Sequence, residues 1–280
     1  MQAAFTVVDG VETRFLFAGR GAGRPVLVLL HGLGIAADSW SRNIDALAEQ
    51  FHVIAPDLLG HGFTGFPGLD GRAAHPVMVD HVLGLLDQLG VERFNVCGHS
   101  YGATIAVLLY FAHPARIERL ILNGSHRIFQ NPDDTVLGFD RSFANAIAAI
   151  RNPSLAACRQ RLANIWVNDA ALPEEMLLLQ LTSYARPGLA DAYEAIARAN
   201  FDNDLSRPYR CGDRIHEVEV PVLVMSGRDD IRVPVADLEA GVKRLKRARL
   251  VLVDRCGHML QAEHAALFNR TVTEFIAALA

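Results

Sequence analysis

No stretch of about 18 consecutive apolar residues occurs in the 280-residue chain, so nothing in it reads as a membrane-spanning helix. No block of one charge occurs either. The net charge is −4 with both signs mixed along the chain, which leaves no basic stripe for nucleic acid and no polybasic segment for a membrane surface. Cysteine is scarce. The four residues Cys97, Cys158, Cys211 and Cys256 are widely spaced without a C-x-x-C pair. That spacing excludes a disulfide scaffold and a cysteine-based zinc or redox motif, and points to reduced thiols in a cytoplasmic protein. The opening Met1-Gln2-Ala3-Ala4-Phe5 lacks the basic and apolar regions of a secretory signal. There is no internal repeat and no low-complexity segment.

What is present is enough chain for one large α/β domain with room for an insertion. Residues 5–8 and 11–18 alternate and predict a hairpin around Asp9-Gly10 at a sheet edge. The glycine-rich stretch 19–23 has no helix after it and reads as a turn rather than a phosphate cradle. Residues 25–30, PVLVLL, form a continuous apolar run of the kind buried on both faces of a parallel sheet. Asp38 or Ser39 is expected to cap a helix running to about Gln50, with the next strand at residues 52–55. Helix periodicity covers residues 76–89, and residues 117–122 read as a further strand. Strand, helix, strand, helix predicts right-handed crossovers and a parallel sheet.

The rhythm breaks after Asn123-Gly124. Residues 125–213 hold helical patches at 140–150, 153–167, 173–184 and 189–199, separated by proline-bearing breaks, and no evident strand. They predict a helical cap inserted between a first core part, residues 1–124, and a second, residues 214–280. The second part resumes with a strand at 221–226, a helix at 235–247, a strand at 249–253 and a final helix at 262–279.

The chemistry centres on Gly98-His99-Ser100-Tyr101-Gly102. A short β-compatible stretch, 93–97, precedes it, and an apolar helix-length stretch follows, closed by His113-Pro114. A strand turning abruptly into a helix around G-x-S-x-G is a nucleophile elbow, whose serine occupies a strained position between glycines that let the two elements approach. A serine nucleophile needs a base, and the base an orienting acid. Candidates follow the next two strands in that order. Asp229 and Asp230 lie in Gly227-Arg228-Asp229-Asp230-Ile231-Arg232-Val233-Pro234, and His258 ends Asp254-Arg255-Cys256-Gly257-His258.

With these motifs in this order the sequence resembles the α/β-hydrolase fold family over nearly its whole length outside the cap. The resemblance implies a mostly parallel sheet flanked by helices, and a catalytic triad in the chain order Ser, acid, His. The family spacing G-x-x-D-x-x-x-P selects Asp230 over Asp229, so the implied triad is Ser100, Asp230 and His258. The implied oxyanion hole is made by the backbone N–H groups of Leu33, in His31-Gly32-Leu33-Gly34, and of Tyr101. His31 is placed to brace the oxyanion loop, whereas His61, His81 and His264 read as loop or helix-surface residues. No metal or cofactor is called for. The partner is a small-molecule substrate, with no nucleic acid and no membrane, and assembly into a homo-oligomer stays open.

Within that family, Cys256-Gly257-His258 with Gln261, Glu263-His264-Ala265 and Phe268-Asn269 resembles the ending of hydrolases that split a carbon–carbon bond in dienoate diketones, the products of ring meta-cleavage. Four features depart from that group. Gln180 falls where its carboxylate-binding arginine would stand, His99 replaces asparagine before the nucleophile, Ile35-Ala36-Ala37 replaces Pro-Gly after the oxyanion loop, and Met259 replaces tryptophan after the histidine. Losing a guanidinium argues for a less acidic substrate, so hydrolysis of a small apolar carboxylic ester is the first expectation and carbon–carbon hydrolysis the alternative. Serine at the elbow argues against dehalogenases and epoxide hydrolases. An acyltransferase, or a receptor retaining the triad, is compatible with the same residues. Trp40, His126, Phe139, Trp166, Gln180, Ile231 and Met259 are candidates to line the pocket, with ordinary core packing an equal reading for the apolar ones.

Overall fold

The apolar run at residues 25–30 owes its composition to a position where both faces are covered. In the computed structural model the strands are β1 (Gln2–Val8), β2 (Val11–Ala18), β3 (Val26–Leu30), β4 (His52–Pro56), β5 (Phe94–His99), β6 (Ile117–Asn123), β7 (Val222–Gly227) and β8 (Ala248–Val253). They form one eight-stranded sheet in the order β1-β2-β4-β3-β5-β6-β7-β8, parallel except where β1 and β2 run antiparallel at one edge. The structure describes residues 1–21, 23–125, 128–129, 136–167 and 172–278, and of residues 136–142 the backbone.

Alternate residues of β3 enter different cores. Val28 and Leu30 pack with Met78, Val82, Ile105 and Leu109 of the helices Ala74–Gln88 and Tyr101–Ala112. Leu27 and Leu29 pack with Trp40, Leu260, Phe268 and Val272 on the opposite face. A period of two with helices on both faces leaves no polar side to the strand. The β1–β2 hairpin turns at Asp9 and Gly10, both at positive φ (47° and 81°), the geometry that favours Asp-Gly.

Between Asn123 and Val222 no strand occurs among the described residues; the longer helices there are Val136–Arg151, Leu155–Ala163, Glu174–Tyr184 and Leu189–Phe201. Their buried side chains, with Ile35 and Met259 from the core part, make a third apolar cluster above the sheet. No described helix is long and apolar enough to cross a membrane.

Several local expectations are corrected. Asp38 caps no helix: residues Ala37–Trp40 form one 3-10 turn and Ile44–Leu47 one helical turn, each without a side-chain cap. Asp38 instead takes a two-pronged bond from Arg14, Nη1 and Nη2 each at 2.7 Å, while Arg14 Nη1 also reaches Asp57 Oδ2 at 3.2 Å. Asp57 accepts from the Ala37 and Phe63 N–H groups at 2.7 and 2.8 Å, so one buried ion network pins the loops after β3 and β4. The helix after β7 stops at Val242, and the last helix is split into Leu260–Glu263 and Ala265–Ala277.

His61 and His81 are buried rather than surface residues, as are His31 and His99. Burial holds all four below the ordinary histidine range, His61 and His81 at about 4, His99 at about 3 and His31 well down. A folded-state pKa below the unfolded value near 6.5 means the unfolded chain takes up protons first on acidification. The stability these groups contribute is therefore complete above about pH 6.5 and is lost as pH falls towards their folded values. Each contributes about 1.4 kcal/mol per pH unit well inside that window. The urea midpoint should fall steeply between pH 6 and 4.5; a midpoint flat from pH 7 to 5 would refute the neutral buried assignment.

Candidate active site

The C-terminal ends of β3, β5, β7 and β8 open onto the same side of the sheet, where α/β proteins hold ligands. β5 ends at His99 and a helix starts at Tyr101, leaving Ser100 alone between them with φ 53° and ψ −113°. That is a strained backbone for a residue with a Cβ. The flanking glycines follow from contact distances. A Cβ on Gly98 would lie 2.2 Å from Gly102 O, and one on Gly102 would lie 2.3 Å from Leu30 O. The Ser100 N–H donates to Asn123 O at 2.9 Å, tying the elbow to the end of β6.

After β7, Asp230 is buried and its Oδ2 lies 2.7 Å from His258 Nδ1, while Oδ1 accepts the Arg232 N–H at 2.9 Å. Burial alone would raise the Asp230 carboxyl. The His258 ring, its hydrogen bond and the Arg232 N–H outweigh burial and hold the acid below the usual carboxylate range. Asp229 is exposed and accepts only the Cys256 N–H, at 3.3 Å.

The His258 backbone is held on both sides. Its N–H donates to Ile165 O at 2.9 Å, and its carbonyl accepts His99 Nε2–H at 2.9 Å. The two imidazole rings lie 4.8 Å apart, and burial followed by the His258 ring keeps His99 neutral. Glu263 accepts the N–H groups of Gly257 and Met259 through Oε1, at 3.0 and 3.2 Å, and that of Val167 through Oε2 at 3.0 Å. One carboxylate thus joins the His258 turn to the helical insertion. Sequence reasoning missed this role, because the Glu263–Val167 pairing spans 96 residues and leaves no local signal.

The loop after β3 lies against the elbow: a Cβ on Gly32 would come within 3.2 Å of Ser100 Cβ. His31 fixes this loop, since its Nε2 accepts the Leu58 N–H at 2.9 Å and its Nδ1–H donates to Gly32 O at 2.8 Å. Leu33 therefore sits beside the serine. Tyr101, the first residue of its helix, carries one of the four N–H groups that a helix cannot satisfy internally. Among the described residues the Ser100 hydroxyl makes no hydrogen bond to His258. Such bonds are commonly long before substrate is bound.

The pocket candidates divide. Trp166 and Met259 are buried in the third apolar cluster, and Gln180 lines a small cavity with Met259, Ile35 and Ser183. Trp40 is fully buried and packs in the core beneath, its ring 5.8 Å from that of Phe268. Ile231 is 84% exposed, turned out where its neighbour Asp230 turns inward. His126 and the Phe139 side chain lie outside the described residues.

The chain is similar to curated enzymes across most of its length. It is 33% identical over 92% of its residues, and 88% of the relative, to 2-hydroxymuconate semialdehyde hydrolase of Pseudomonas sp. (strain CF600). It is 33% identical over 96% of its residues, and 93% of the relative, to 2-hydroxy-6-oxononadienedioate/2-hydroxy-6-oxononatrienedioate hydrolase of Burkholderia vietnamiensis (strain G4 / LMG 22486). Among solved structures, 2-hydroxy-6-oxo-6-phenylhexa-2,4-dienoate hydrolase from Rhodococcus sp. strain RHA1 superposes with a TM-score of 0.80 at 26% identity, covering 99% of this chain and all of that one. A family model for the alpha/beta hydrolase fold matches residues 25–265, and with the elbow and sheet described above the chain belongs to that family as a hydrolase related to those that act on meta-cleavage products.

Proposed function

We propose that the protein hydrolyses a carbon–carbon bond in a dienoate diketone of the meta-cleavage type. Ser100 is the nucleophile, His258 the base, Asp230 its orienting acid, and the N–H groups of Leu33 and Tyr101 receive the oxyanion. Residues 125–213 act as the cap that closes the site. The observation that carries the substrate class is one-third identity, over more than nine-tenths of the chain, to enzymes named for such substrates. It outweighs the neutral Gln180, which favours the ester reading.

The geometry supports the following steps. Ser100 Oγ adds to the carbonyl carbon beside the scissile bond while its proton passes to His258 Nε2. Asp230, at 2.7 Å from the opposite nitrogen, stabilises the resulting imidazolium. The carbonyl oxygen becomes an oxyanion between the two N–H groups, each of which is worth roughly 10²–10³ in rate. Collapse of this adduct breaks the carbon–carbon bond. This requires the dienol to be ketonised first, its 2-hydroxyl proton moving to C5, so that the released electron pair enters the 2-oxo-3-enoate and the proton on His258 is delivered to the resulting dienolate. Water, deprotonated by His258, then frees the acyl group from Ser100.

The test is a direct competition between a 2-hydroxy-6-oxohexa-2,4-dienoate and p-nitrophenyl butyrate on one enzyme preparation, with products resolved. A kcat/KM at least about tenfold higher for the dienoate is expected, equivalent to roughly 1.4 kcal/mol in the transition state. The opposite preference would restore the ester.

A further inference from the structure

Arg161, on the helix Leu155–Ala163 above the oxyanion loop, has no ion-pair partner among the described residues. Among the described residues its charged head meets only uncharged partners. Nη2 reaches Leu33 O and Gly34 O, each at 3.3 Å, and the rings of Tyr184 and Tyr193 lie 5.8 and 5.9 Å away. Its Nε is sealed from solvent and has no hydrogen-bond partner among the described residues. A second guanidinium, Arg232, is close enough for the like charge of Arg161 to act on it.

The same corner has too many donors. Gly34 O accepts from Arg161 Nη2 at 3.3 Å, from Gln180 Nε2 at 3.3 Å and from the Tyr184 hydroxyl at 2.8 Å. A carbonyl oxygen has two lone pairs, so three donors on one oxygen leave at least one poorly used, and the two long distances identify Arg161 and Gln180. Gln180 and Tyr184 are 8% and 3% exposed, so water is a poor alternative for them. Residue 34 stands at φ 72°, where a Cβ would also lie 2.8 Å from Tyr193 Cε2, so glycine suits it.

We propose that Arg161, with Gln180 and Tyr184, forms an anion subsite that takes the carboxylate of the substrate. A carboxylate offers two oxygens to a guanidinium fork and neutralises a partly buried charge that no described residue compensates. Gly34 adjoins Leu33, so the anion binds at one end of the oxyanion loop while the reacting carbonyl occupies the other. The charge missing at residue 180 is thus supplied from a different helix, with Gln180 as a neutral second donor. The identity of the anion as a dienoate carboxylate rests on the function proposed above.

The experiment compares a 2-hydroxy-6-oxohexa-2,4-dienoate with its methyl ester on the wild type, Arg161→Gln and Arg161→Lys, with p-nitrophenyl hemiglutarate and p-nitrophenyl butyrate as a second acid–neutral pair. The acid-to-neutral ratio of kcat/KM should fall about 30-fold in Arg161→Gln, mostly through KM, as expected for losing a charge-assisted pair. It should fall at least about fivefold in Arg161→Lys, which keeps the charge but not the fork. Should Arg161→Gln fail to fold, the lysine variant decides by the same criterion. A ratio unchanged in the folded variants, with dienoate cleavage intact, overturns the subsite alone. Absence of dienoate cleavage in the wild type overturns the proposed function, and the hemiglutarate pair then tests the subsite independently.

Discussion

Ser100→Ala is expected to yield a folded protein that has lost roughly 10⁴–10⁶ in kcat, because nucleophile and base act as a unit and either alone accomplishes little. The fold should survive, since the Ser100 hydroxyl closes no hydrogen bond to His258 and the elbow is held by backbone contacts: the Ser100 N–H to Asn123 O at 2.9 Å and the Ala103 N–H to Ser100 O at 3.0 Å. Ser100→Gly makes the control. Glycine relieves a backbone held at φ 53°, a strain of order 1–3 kcal/mol, so this variant should melt higher than the wild type while being equally inactive. Burst kinetics and thermal melts on the three proteins separate the effects. Residual turnover within tenfold of wild type in either variant would remove Ser100 from the nucleophile's role.

How much of this was readable beforehand depends on how far apart the interacting residues lie. The elbow was legible because both of its glycines stand two residues from Ser100 in the sequence. The buried strand β3 was legible because burial on both faces leaves a purely apolar run. Asp38 was misread as a cap because its partner, Arg14, is 24 residues away, and helix-start chemistry uses the same residue types. His61 and His81 looked like surface residues because a polar ring on a loop or helix carries no local sign of burial. Their burial is set by long-range partners, the His31 ring 5.2 Å from His61 and Thr13 Oγ1 3.0 Å from His81 Nε2. Arg161 had no sequence signal at all: one arginine on a cap helix resembles any other until the loop 127 residues earlier is folded beneath it.

The adjacent aspartates give the sharpest test of the constellation, because they differ in geometry and not in chemistry. Asp230 is buried with an oxygen 2.7 Å from His258 Nδ1, whereas Asp229 is exposed and holds only a backbone N–H at 3.3 Å. Asp230→Asn replaces an acceptor by a group that must either turn its carbonyl to the ring or present an NH₂ to an N–H. In the second arrangement His258 is driven to the tautomer whose Nε2 carries a proton and cannot accept one from Ser100. In both arrangements the charge that stabilises the imidazolium is gone. A loss of about 10⁴ in kcat is expected at neutral pH, with little change in KM. Asp229→Asn keeps the oxygen facing Cys256 N–H and loses only an exposed charge, so kcat should stay within about threefold, as for surface substitutions worth at most ~0.5 kcal/mol. Loss of activity in Asp229→Asn with an active Asp230→Asn would mean that the turn after β7 presents the other carboxylate to His258 in solution.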